Sequence, residues 1–148
     1  MAQYKIGVNN KIKISADRIV IYTISDQHRG RRRQNKSRWI IKMPQEISLF
    51  KNALKNGYED KLAHTAWNLY MDANNKACVL GQSADLQELK IAKFVDSDHK
   101  DWWHGYPAHY VKNIQDIPPA IVLLSWEQAG YISTATMKRI KGGQPCNL

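Results

Sequence analysis

Residues 59–74, Glu59-Asp60-Lys61-Leu62-Ala63-His64-Thr65-Ala66-Trp67-Asn68-Leu69-Tyr70-Met71-Asp72-Ala73-Asn74, decide how the chain divides. Leu62, Ala66, Leu69 and Ala73 recur at spacings of four and three, one face of an α-helix, and Trp67 and Tyr70 widen that face. Read so, the stretch predicts a helix and makes everything after Pro44 helical. Upstream of it, Pro44 suits a first helical turn and Glu46 complements the positive end of the helix dipole. Ile47, Phe50 and Leu54 then form an apolar stripe that Gly57 ends. Downstream, Ser83 or Asp85 is expected to cap a third helix through Leu86, Leu89 and Phe94. Pro118-Pro119 opens a fourth, apolar nearly all round to Trp126. Ser133 caps a short last helix from Thr134 to Ile140, which Gly142-Gly143 end.

Before Pro44 the period is two. Tyr4 to Val8 alternates, Asn9-Asn10 offers a tight turn, and Lys11-Ile12-Lys13-Ile14 puts lysines on one face and isoleucines on the other. Ile19 to Ile24 is a β-branched run of the kind buried on both faces. Arg38 to Met43 resumes strand character after a polar loop. The fold class expected is therefore α+β: an N-terminal antiparallel β-meander of three or four strands packed against four to five C-terminal helices. The division expected is one globular domain over residues 1–148, with the meander at 1–43, its basic loop at 25–38, a helical part at 44–141 and a tail at 142–148.

Composition narrows the class. The chain has 148 residues, 43% hydrophobic, and 22 Lys and Arg against 13 Asp and Glu, a formal charge of +9. No apolar run approaches the ~20 residues that span a bilayer, and the N-terminus has no signal-peptide core. Two cysteines, Cys78 and Cys146, do not make a disulfide scaffold. A soluble cytoplasmic protein without a membrane partner is expected. Residues 1–55 carry 13 basic side chains against three acids, while residues 56–148 carry nine against ten. The basic excess thus sits in the first third.

Much of it is one loop: Arg29, Arg31, Arg32, Arg33, Lys36 and Arg38, six cations in ten residues with no acid among them. Arginine's planar fork matches phosphate oxygens bidentately, and Trp39 beside it offers a ring for stacking. These seven residues are the candidate contacts for a nucleic acid, RNA or DNA, or alternatively for an acidic protein. Residues 96–110 form the second candidate. They hold His99, His104 and His109, three aspartates, two tryptophans and two tyrosines. Two histidines supply an acid and a base near neutral pH, and a carboxylate fixes a tautomer. A turn at Gly105 and Pro107 would be needed to bring them together. His104 and His109, with Tyr106 and Asp98, are the candidate catalytic residues of a small RNA- or DNA-cleaving enzyme, and at least one of Trp102 and Trp103 should be buried. No H-E-x-x-H, C-x-x-C or phosphate-binding glycine loop is present, so neither metal nor cofactor is expected. Three functions follow from the sequence: a module that binds nucleic acid or an anionic partner through the arginine loop, a toxin-like or mobile-element nuclease in which that loop holds the strand for the histidine segment, or an accessory subunit whose arginines dock an acidic protein.

Overall fold

The structure is a computed structural model that describes residues 4–29 and 35–148. Among them the chain forms nine strands and three α-helices. Strand β1 (Asn9–Ser15) pairs antiparallel with β2 (Arg18–Thr23), Ile12 facing Val20. Ile12 and Ile14 enter the core while Lys11 and Lys13 stay in solvent, as period-two patterning requires. Strand β9 (Trp102–Ala108) lies parallel to β2, and β8 (Ile91–Val95), β5 (Thr65–Leu69) and β4 (Glu59–Asp60) follow antiparallel. The six-stranded mixed sheet has the order β1-β2-β9-β8-β5-β4. Strands β3 (Arg38–Trp39), β6 (Gly81–Gln82) and β7 (Glu88–Leu89) make a separate three-stranded sheet.

Helix α1 (Met43–Lys55) lays Ile47, Phe50, Ala53 and Leu54 on the large sheet against β5 and β1. Phe50 is the hub of the core, with ring centroids 4.5 Å from Tyr22, 5.4 Å from Phe94 and 5.6 Å from Trp103. Helix α2 (Ala120–Gln128) buries Val122, Leu123 and Trp126, and α3 (Thr134–Lys141) packs on α2 through Ile140, with the Ser133 hydroxyl capping its N-terminus.

The expected meander against four to five helices is not what forms. The expected turn at Asn9-Asn10 does not form, because both residues belong to β1, opposite Thr23 and Tyr22, and residues 4–8 make no strand. Lys11–Ile14 pairs instead with β2, the next neighbour of β2 is β9, from about 80 residues later, and β3 leaves for the second sheet. Residues 59–74 are not a helix. They supply β4 and β5, and Leu62, which the helical stripe placed in the core, is 95% exposed. Residues 83–94 likewise become β7 and β8, with Leu86 exposed at a left-handed φ of 67°. The physical reason is shared. Strand β5 is covered on one face by α1 and flanked by β8 and β4, so Ala66, Trp67, Asn68 and Leu69 are all buried. A strand buried on both faces loses its alternation, and an apolar run of that kind fits a helical stripe equally well. The strand partners that settle the matter are distant in sequence.

Candidate functional site

The site is built on β9. Inward, Trp103 packs on Phe50, and Gly105 meets the ring of Phe94. A Cβ on Gly105 would sit 2.7 Å from the Tyr22 hydroxyl and closer still to Phe94, so the strand crosses the core there only because the residue has no side chain. Outward, by the same alternation, stand Trp102, His104 and Tyr106. No turn forms at Gly105 and Pro107, because both belong to this continuous strand.

The chain leaving β2 supplies the opposite wall. Ser25 caps a short 3-10 turn, Asp26–His28, by accepting from the Gln27 N–H at 3.2 Å. That turn lays the His28 ring on the Tyr106 ring, centroids 5.1 Å apart and nearly parallel. His28 Nδ1 lies 2.8 Å from the Ser37 carbonyl, which can only accept. The proton therefore sits on Nδ1 and the lone pair on Nε2. Burial pushes the His28 pKa down; the Ser37 bond opposes this, while the charges of Lys36 and His104 push further down. Burial also lowers His104, against the pull of the Asp98 carboxylate. His104 Nε2 lies 3.1 Å from the Ser97 hydroxyl.

Beneath the wall runs a buried polar chain. The Tyr106 hydroxyl donates to Asp116 at 2.7 Å, the His109 N–H donates to the other oxygen of that carboxylate at 2.9 Å, and Lys93 Nζ stands 3.5 Å from it. Burial lowers the Lys93 pKa, opposed by Asp116, and raises that of Tyr106, whose phenol stays protonated. Between the walls lies a cleft of about 490 Å³, lined by His28, His104, His109, Tyr106, Lys36 and Asp116 among others. The two ends of the basic loop and the histidine strand thus share one cleft.

No known protein family, curated protein or solved structure matches the chain.

The other candidates are dispersed. His99 is not in the cleft: its ring stacks on His64 at 3.7 Å. Asp98 lies beside His104 but lines a neighbouring cleft. His104 stands on β9 and His109 just beyond its end, about 16 Å further if the chain stays extended, and both line the cleft. Of the basic loop, Arg31, Arg32 and Arg33 lie outside the described residues. Lys36 is exposed on the cleft. Arg38 is half-buried on β3, opposite Gln82. Arg29 and Trp39 face inward. The Arg29 guanidinium bonds Glu46, which has no exposed surface, and the Ile41 carbonyl, while the Trp39 ring stacks on Phe94. His28 is not among the candidate catalytic residues that the sequence offers; beside the arginines it suggests at most a phosphate contact. Its signal was weak: one histidine before an arginine run, with its partner Tyr106 some 80 residues away. Among the described residues no three His, Cys, Asp or Glu side chains are grouped to hold a metal, and no helix is long and apolar enough to cross a membrane.

Proposed function

We propose that the protein binds single-stranded RNA through its basic loop and cleaves it in the cleft between His28 and His104. The observation that carries this reading is the shared cleft: the loop ends with Lys36 and the strand with His104, Tyr106 and His109 line one cavity. Cations steer the phosphate backbone, and the paired imidazoles then face what the cations hold.

The chemistry follows from the two ring environments. His28, held neutral by burial with Nε2 unprotonated, takes the proton of a ribose 2′-hydroxyl. O2′ attacks phosphorus, and the P–O5′ bond breaks. His104, lowered by burial but pulled back by Asp98, acts in its imidazolium form and gives its proton to the departing O5′. The products are a 2′,3′-cyclic phosphate and a 5′-hydroxyl, and the two histidines end with their protons exchanged. Tyr106 positions His28 by stacking and is itself held by Asp116. Lys36 and His109 serve the strand on either side of the reacting phosphate.

The test is cleavage of an end-labelled single-stranded RNA, with and without a chelator, by the parent, His28→Asn, His104→Ala and His109→Ala. Asparagine can still donate to the Ser37 carbonyl, so that variant keeps the local bond. Losses of about 10²-fold or more are expected in the first two variants at nearly unchanged RNA affinity, with a smaller loss in the third. Binding without cleavage by the parent would leave a nucleic-acid-binding module. An intact parent that does neither overturns both readings.

A further inference from the structure

A second cleft, of about 760 Å³, opens on the other side of His104. It shares Gln27 and His104 with the first. Its walls are Ile6, the end of β2 with Ser25, Ser97 and Asp98, and Trp102 on the outward face of β9. Resting on the reading of the first cleft as a strand-cleaving site, we propose that this second cleft is a nucleobase subsite, which takes the base next to the phosphate held at His104 and prefers guanine.

Three observations carry it. Trp102 is 53% exposed, whereas the other four tryptophans are each 4% exposed or less. An indole left in solvent on a strand whose alternate residues build the core is a stacking platform, and every base has a π-face to offer it. Secondly, Trp102 and His104 are two residues apart on β9, on one face and about 6.6 Å apart along the strand. A phosphate at His104 therefore has its neighbouring base within reach of the indole. Thirdly, the polar rim carries a carboxylate and an amide, Asp98 and Gln27, in a chain of charge +9. Ionised carboxylates repel phosphate and accept from N–H donors. Guanine alone presents two adjacent donors, N1–H and the exocyclic amine, on one edge. Uracil presents a single N–H between two carbonyls, and adenine and cytosine each pair one amine with an acceptor nitrogen.

The readout is intrinsic, because Trp102 is the one tryptophan a small ligand can touch. Guanosine 5′-monophosphate is expected to quench tryptophan fluorescence saturably. Uridine 5′-monophosphate should bind about tenfold or more weaker, and ribose 5-phosphate should not quench. By calorimetry, Trp102→Ala should weaken guanosine monophosphate roughly 5- to 150-fold, the effect of losing one stacked base, and Trp102→Phe should retain most of the affinity. Asp98→Asn should narrow the guanine-to-uracil ratio. Equal binding of ribose 5-phosphate and the guanine nucleotide, or indifference of both to Trp102→Ala, overturns the subsite. Guanine-dependent quenching in a protein that cleaves no RNA keeps the subsite and removes the cleavage reading. Cleavage lost in His104→Ala but equal at every sequence keeps the cleavage and removes the guanine subsite.

Discussion

Glu46 shows how one side chain fixes the start of the basic loop. It sits in the first turn of α1 with no exposed surface, accepts from the Tyr22 hydroxyl and pairs with Arg29 at 2.8 Å. The pair ties the last described residue before the loop tip to the centre of the core. Removing one partner of a buried pair strands the other charge, so Glu46→Ala should cost about 3–5 kcal/mol in urea unfolding. Burial raises the Glu46 pKa, against the bonds from Tyr22 and Arg29. A carboxyl raised in the folded state binds its proton more tightly there than in the unfolded chain. Its contribution is complete below the ordinary carboxyl range and is lost as pH rises through the raised value. The urea midpoint of the parent should therefore fall with rising pH just above that range, and Glu46→Gln should lack that limb. An identical pH profile in the two proteins would contradict the assignment. The sequence showed Glu46 only as a complement to the helix dipole. Nothing in its neighbours announces Arg29 or Tyr22, which reach it from other strands and loops.

At the same scale, the two histidines set an expected pH profile for cleavage. Burial lowers both His28 and His104 below the ordinary imidazole value of 6.5. One must be neutral and the other protonated, so the rate should be bell-shaped with its maximum on the acid side of pH 6.5. Asp98→Asn removes the pull that keeps His104 up and should move the basic limb to lower pH. A maximum at or above neutrality in the parent would exclude this pair as the acid and base.

Strand β9 is the element on which the site depends, and it was the least legible. Histidine, glycine and proline interrupt it and suggest a turn at Gly105 and Pro107, although the alternation Trp103, Gly105, Pro107 inward and Trp102, His104, Tyr106 outward is present in the sequence. The glycine and proline that suggested a turn are there for close approach: Gly105 to Phe94 and Tyr22, and Pro107 to Gly81. By contrast α1, α2 and α3 were legible, since Pro44, Pro118-Pro119 and Ser133 mark their starts and their stripes are local. Two consequences are measurable. Gly105→Ala inserts a methyl where none fits and should lower stability by about 1–3 kcal/mol, with a matching fall in Tm. The turn into β9 is held by Asp96, 2% exposed, which accepts from the N–H groups of Lys100, Asp101 and Trp102 at 3.1, 2.9 and 3.3 Å. Asp96→Ala leaves those donors without their carboxylate and should cost at least ~2 kcal/mol. Near-native stability in both variants would mean that β9 tolerates a shift the packing argues against.

For the whole molecule, the distribution of charge decides what it meets first. Several cations among the described residues are already engaged: Arg18 with Glu59 and Asp101, Arg29 with Glu46, and Lys93 with Asp116. Each pair sets one charge against another and carries little net field outward, and those of Arg29 and Lys93 are buried. Arg31, Arg32 and Arg33 follow Arg29 in a stretch without an acid, and Lys36 brings the return of that stretch to the cleft. On the proposed reading, a single strand bound by these cations would release about 0.7 counterion per phosphate contacted. The logarithm of RNA affinity should accordingly fall steeply with the logarithm of salt concentration. Replacing Arg31, Arg32 and Arg33 by Ala should lower that slope by about two, from three contacts at ~0.7 each. Arg29→Ala, which breaks the buried pair with Glu46, should by contrast lower Tm. Measured side by side, the two variants separate a loop that meets RNA from the anchor that holds it. An unchanged salt slope in the triple variant would move strand capture to Lys36, Lys112 and the histidines of the cleft.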